Sequence, residues 1–162
     1  MFNADSVFAD FNEAIRQAPQ RADVYFERGL FYEQRLQEYS KAEADFSKSI
    51  KLSEATAENL LARGRVRFYQ DAFESAIEDM SHVIQLDPDG VAGDAFCFRG
   101  EARRALGLLD EAASDFRLAI EARRDSLRKC GDTQSAEQPD EIIYGAAFNG
   151  LRSIEQQPAG SA

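Results

Sequence analysis

His82 is the sequence's one histidine, set between Ser81 and Val83 with no second imidazole to share a metal ion or a proton. A zinc site draws on several His, Cys or carboxylate side chains in close register, and neither Cys97 nor Cys130 has such a partner. A cysteine nucleophile needs a neighbouring base to form its thiolate. Cys97 stands two residues before Arg99, a cation close enough to activate a thiol; otherwise it reads as a small packing residue. Cys130 falls in the polar stretch KCGDTQSAEQP (129–139) and is expected to be the more reactive thiol. The acids Asp71, Glu74, Glu78 and Asp79 spread along one segment as a solvated face does. No glycine-rich phosphate loop, nucleophile elbow or dinucleotide fingerprint occurs. These residues predict no catalysis, no metal and no cofactor.

Two arginine groups leave a choice open. Arg63, Arg65 and Arg67 share one segment, and Arg123, Arg124, Arg128 and Lys129 another. They either pair with the acids around them or anchor an acidic or carboxylate-ended peptide, since guanidinium and carboxylate meet in a matched fork. The chain as a whole carries 29 acids against 19 bases, a net charge of −10 over 162 residues. That balance lacks the basic footprint a phosphate backbone requires, so nucleic acid is excluded as an expected partner. A hydrophobic content of 44% is enough for a real core in one domain. Two cysteines do not make a disulfide scaffold. No apolar run is long enough for a membrane span, and the start MFNADSVFAD lacks a basic n-region. The expectation is a cytoplasmic chain that does not enter a membrane.

The elements that must position these side chains repeat. YFERGLFYEQ from Tyr25, LLARGRVRFYQ from Leu60 and FCFRGEARRALG from Phe96 each hold an Arg-Gly pair, their glycines 35 and 36 residues apart. AEADFSKSI, AIEDMSHVI and AASDFRLAI follow, from Ala42, Ala76 and Ala112. Glycine leads alanine by 12 residues in the last two units and by 13 in the first, an expected insertion in the turn. Apolar residues recur at three and four, so each half is an amphipathic helix. Glycine inside a helix costs about 1 kcal/mol against alanine; Gly29, Gly64 and Gly100 therefore predict close approach of a facing helix. Ala42, Ala76 and Ala112 are its matching small residues, and Phe46, Met80 and Phe116 its large knobs. Leu86-Asp87-Pro88-Asp89-Gly90 stops one helix, and Asp110 is expected to cap another.

This pattern resembles the tetratricopeptide repeat (TPR), whose form is W-x2-L-G-x2-Y, then A-x3-F, then P. Tyr25, Leu60 and Phe96 open the units, and Pro88 is a closing proline. Arginine replaces the leucine before each glycine, and Arg67 and Arg103 replace the tyrosine. The resemblance implies an all-α, right-handed α-solenoid forming a single domain over 1–156. It comprises a half repeat (4–19), three full repeats (22–55, 56–90 and 92–128) and a capping helix (140–156) begun by Asp140. Ile143, Ala147, Leu151 and Ile154 form the capping stripe; the alternative places this helix in the groove as an internal ligand. The tail 157–162 is expected to be disordered. The half repeat lacks its first helix, leaving Phe2 and Phe8 facing where a partner belongs.

By the same resemblance the first helix of each repeat lines a concave peptide groove. The register selects Glu27, Leu30 and Gln34; Leu61, Ala62, Arg65, Phe68 and Tyr69; and Phe98, Glu101, Arg104 and Ala105. Leu61 and Ala62 also suit inter-repeat packing. Family members that clamp a chaperone's C-terminal carboxylate use Lys and Asn, where this chain has Glu27, Leu30, Ala62 and Phe98. The implied function is a non-catalytic protein- or peptide-binding scaffold or adaptor. Its alternatives are a module self-assembling through the N-terminal helix and an accessory domain of a larger protein.

Overall fold

A computed structural model describes residues 4–88, 90–138 and 144–156. Its elements are α1 (Ala4–Gln17), α2 (Ala22–Phe31) running into a π-helical turn (Tyr32–Leu36), and α3 (Tyr39–Leu52). Then come α4 (Ala57–Tyr69), α5 (Phe73–Leu86), α6 (Ala92–Ala105), α7 (Leu109–Lys129), α8 (Thr133–Ala136) and α9 (Gly145–Glu155). Among the described residues there is no strand. Helices pair as hairpins (α2 with α3, α4 with α5, α6 with α7), and each hairpin packs mainly on its sequence neighbours. The all-α solenoid is thus quasi-linear, held by a strip of contacts between neighbouring units.

The helical glycines explain how the hairpins close. A Cβ on Gly29 would lie 2.7 Å from the Phe46 ring, one on Gly64 2.8 Å from Met80, and one on Gly100 2.8 Å from Phe116. The knob, rather than the alanine, therefore presses into the space that glycine opens. Phe46, Met80 and Phe116 are completely buried, as are Ala42, Ala76 and Ala112. Each large knob contributes roughly 1.5–3 kcal/mol of burial.

The extra residue of the first unit is not in the loop. Each hairpin turn passes through one left-handed residue: Gln37 (φ 54°), Asp71 (φ 59°) and Gly107 (φ 78°). The residues after them, Glu38, Ala72 and Leu108, share one N-cap geometry, with ψ of 69°, 61° and 68°. The turns are equivalent, so the insertion is absorbed upstream, as the π-helical turn at the end of the first helix.

One expected cap changes, while the stop after Leu86 falls where the sequence places it. Leu108, not Asp110, occupies the N-cap of α7, and Asp110 sits in the first turn, where its charge suits the helix dipole. The Asp87 carboxylate accepts from the Gly90 and Val91 amides (2.9 and 3.2 Å), which turns the chain from α5 into α6.

At the N-terminus, Phe8 does not face outward. Its ring packs 5.1 Å from Phe31, edge on, and 4.9 Å from Tyr32, while Phe11 also meets Phe31. Aromatic edges offered by α2 and its π turn draw α1 onto the first repeat. At the other end, Arg124 donates to the Ala136 and Gln138 carbonyls and folds α8 back (2.6 and 3.0 Å). α9 packs chiefly on α7, in the place a following repeat's first helix would take. There Ala147 is fully buried, and a Gly150 Cβ would stand 2.5 Å from Phe116. Phe116 is thus clasped between Gly100 and Gly150. Phe2, Asp89, the expected cap Asp140, the stripe residue Ile143 and the tail 157–162 lie outside the described residues.

Candidate functional site

The arginines before the glycines are structural clamps. Arg28 donates twice to Asp45 (2.7 and 2.7 Å), Arg63 to Asp79 (2.9 and 2.7 Å) and Arg99 to Asp115 (3.0 and 2.7 Å). Each aspartate immediately precedes the knob, so the fork ties the first helix to the second beside the closest approach. The aspartate side chains keep only 8%, 3% and 1% exposure. Donating to these carboxylates pushes the Arg28 and Arg63 guanidinium pKa values further up, against the opposing pull of burial. In the last two units a second arginine joins: Arg67 reaches Asp79 and Glu43 (2.9 and 2.8 Å), and Arg103 reaches Asp115 (2.7 Å). The first unit has Tyr32 at that position. Of the two roles open to Arg63 and Arg67, pairing with the chain's own acids is the one observed.

Arg65 is engaged as well. Its Nε and Nη2 donate to both oxygens of Glu33 (2.5 and 2.7 Å), a carboxylate supplied by the π turn and only 6% exposed. This pair joins the first helices of repeats one and two. Arg104 forks onto Glu101 within its own helix (2.9 and 2.7 Å).

The face made by α2, α4 and α6 gathers most of the expected groove residues. Glu27 and Gln34 are exposed; Leu30 is half-buried against the Ala42, Phe46, Ala62 and Val66 cluster. Leu61 is a correction: it is 8% exposed and packs in the core with Leu60, Met80, Val83 and Ala95. Ala62 is likewise buried. Both face the neighbouring hairpins because α4 is covered on two sides. Phe68 stands 5.7 Å from Phe98 and 5.8 Å from Tyr69, and Tyr69 is 6.3 Å from Phe98 and 5.1 Å from Tyr39. Tyr69 keeps 46% exposure. A cleft of about 320 Å³ opens beside it, lined by Glu33, Gln34, Gln37, Tyr39, Arg65 and Tyr69. Ala105 is exposed at the end of α6.

Glu33, Tyr39 and Asp94 are additions. Glu33 was hidden by the insertion. Tyr39 belongs to a second helix, and Asp94 lies one turn before Phe98 on the same helical stripe. Asp94 accepts from the Tyr144 hydroxyl (2.7 Å), and its charge is felt at Arg65. A second cleft, about 480 Å³, lies past Asp94 among Arg123, Asp125, Ser126 and Tyr144.

The thiols and the histidine behave differently from a reactive set. Burial pushes the Cys97 thiol up to about 11. Arg99 does not activate it, because that guanidinium is turned to Asp115 and Ser81. Cys130 and His82 are exposed. Among the described residues no group of three His, Cys, Asp or Glu side chains is placed to hold a metal ion. Nor, among them, is any helix long and apolar enough to cross a membrane.

Comparison with known proteins agrees with this architecture. The tetratricopeptide repeat family model matches residues 22–56 and 93–126, so the chain carries tetratricopeptide repeats at these two stretches. The unmatched middle unit keeps the same Arg-Gly, Ala and Asp-knob register. No curated protein sequence matches the chain. Among solved structures, the Arabidopsis OM64 TPR domain is 23% identical with a TM-score of 0.65, covering 83% of this chain and 93% of that one. The first TPR of Spaghetti (RPAP3), bound to the HSP90 peptide SRMEEVD, is 24% identical with a TM-score of 0.66, covering 85% and 92%. YrrB, described as a TPR protein with an unusual peptide-binding site, is 16% identical with a TM-score of 0.66, covering 93% and 83%. At these identities the likeness is one of fold.

Proposed function

We propose that this chain is a non-catalytic scaffold or adaptor that holds a protein segment on the face made by α2, α4 and α6. The observation that carries this reading is the ring cluster of Phe68, Tyr69 and Phe98. Tyr69 stays accessible beside the cleft rimmed by Glu33, Gln34 and Arg65, whereas the other exposed large apolar side chains among the described residues, Leu36, Leu86, Leu106, Leu108 and Leu118, do not line it. An accessible apolar patch with a polar rim marks an interaction site, and aromatic side chains dominate binding energy at such sites. The peptide in the Spaghetti structure and the peptide-binding site ascribed to YrrB support the same reading by similarity of fold.

Capture of a partner from a lysate by wild type and by Tyr69→Ala tests it. Truncation removes ring contacts at a half-exposed position, so the protein should stay folded with a modest fall in Tm, and enrichment of the partner should be lost. Equal enrichment by both proteins would contradict the reading. Arg65→Glu is a poor probe, since it would set two carboxylates against each other at a buried position and unfold the repeat junction.

A further inference from the structure

Resting on that binding role, the charge pattern of the same face says what its occupant carries. We infer that the face takes a segment with an aromatic or aliphatic anchor flanked by Lys or Arg side chains, not an acidic or carboxylate-ended one.

The face's two cations are already committed. Arg65 gives two donors to the buried Glu33, and Arg104 gives two to Glu101. An acidic ligand would have to part Arg65 from Glu33, leaving a buried carboxylate without its counter-charge, which is costly. The acids are not so committed. Among the described residues neither Glu27 nor Asp94 has an ion-pair partner; Asp94 is exposed, accepts a hydrogen bond from the neutral hydroxyl of Tyr144, and acts on Arg65 only at longer range. With Glu33 and Glu101 the face holds four carboxylates against two guanidiniums. Glu27 on α2 and Asp94 on α6 lie on either side of α4, with its Phe68 and Tyr69. An anchor on the rings would therefore carry basic neighbours toward acids on both flanks. The accessible part of the Tyr69 ring attracts cations through its quadrupole. The chain's net charge of −10 steers the same class of ligand toward it.

The test uses the full chain and three synthetic peptides sharing one Leu-Phe-Leu core, flanked by lysines, by glutamates or by serines. Binding is read by fluorescence anisotropy and located by backbone amide shifts. The lysine peptide should bind about tenfold more tightly than the glutamate peptide, the ratio that two solvent-exposed charge contacts supply. Its shifts should fall on Leu30, Phe68, Tyr69 and Phe98. Glu27→Lys, which loses no partner, should reduce that preference, and added salt should do the same. Equal or tighter binding of the glutamate peptide at those residues would overturn the inference and leave the binding face standing. If none of the peptides binds, the inference is overturned, because anchor and charge are claimed to suffice. Shifts from every binding peptide outside those residues would overturn the binding face itself.

Discussion

Asp79→Asn should be the most damaging isosteric change in the middle repeat. The substitution keeps the shape of the side chain and removes one charge. In the structure that carboxylate is 3% exposed and receives three guanidinium hydrogen bonds, two from Arg63 and one from Arg67. Both arginine side chains are themselves only 18% exposed. Water therefore cannot fully replace the lost counter-charge. Breaking a buried pair from one side costs about 3–5 kcal/mol. Because Arg67 keeps Glu43 and the amide still accepts one bond, the expected loss is near the lower end, about 3 kcal/mol. For a chain of this size each kcal/mol moves Tm by about 2–4 °C, so a fall of about 6–12 °C is expected. Asp45→Asn should cost less, since Arg28 is its sole guanidinium and keeps Asn12. Calorimetry gives the size of the loss. Hydrogen exchange gives its place, with α4 and α5 losing protection first because stability in a repeat array is a sum of local terms. A loss for Asp79→Asn below about 1 kcal/mol, the level of an exposed surface pair, would refute the clamp.

The same packing sets the sign of two glycine substitutions. Gly100→Ala should destabilise by about 1–3 kcal/mol, because Phe116 is held from the other side by Gly150 and cannot yield. Gly93→Ala, whose Cβ would meet nothing closer than 3.6 Å, should stabilise by up to about 0.5–1 kcal/mol; denaturant titration separates the two. A thiol-specific reagent at neutral pH should label Cys130 and spare Cys97. The folded Cys97 thiol ionises near 11 against an ordinary 9.0. The stability it contributes is therefore complete below about pH 9 and is lost as the pH rises through 11. Cys97→Ala should flatten that alkaline decline.

Much of the architecture is legible in the sequence because the small residues recur. Gly29, Gly64 and Gly100, each succeeded at fixed distance by alanine and a large knob, are enough to define three hairpins. The clamps are legible in principle: arginine before each glycine and aspartate before each knob recur together, 17, 16 and 16 residues apart. Taken one helix at a time, those arginines look available to a ligand. The buried role of Glu33 is not legible. An additional residue inside a helix rotates the remainder of that helix by about 100°, and nothing local distinguishes a π turn from a longer loop. Leu61 and Tyr69 lie eight residues apart on one helix, yet one is core and the other surface. Only the neighbouring hairpins decide that. Phe8 is misplaced by the sequence pattern for a related reason, since its partners Phe31 and Tyr32 belong to the end of α2 and the π turn rather than to a missing helix.

The central claim is that binding occurs on the first-helix face. A photo-crosslinking amino acid placed in turn at Gln34, beside the Tyr69 cleft, and at His82, exposed on α5, tests it most directly. A covalent adduct with the captured partner is expected from position 34 and none from position 82. Adducts from position 82 alone would contradict it.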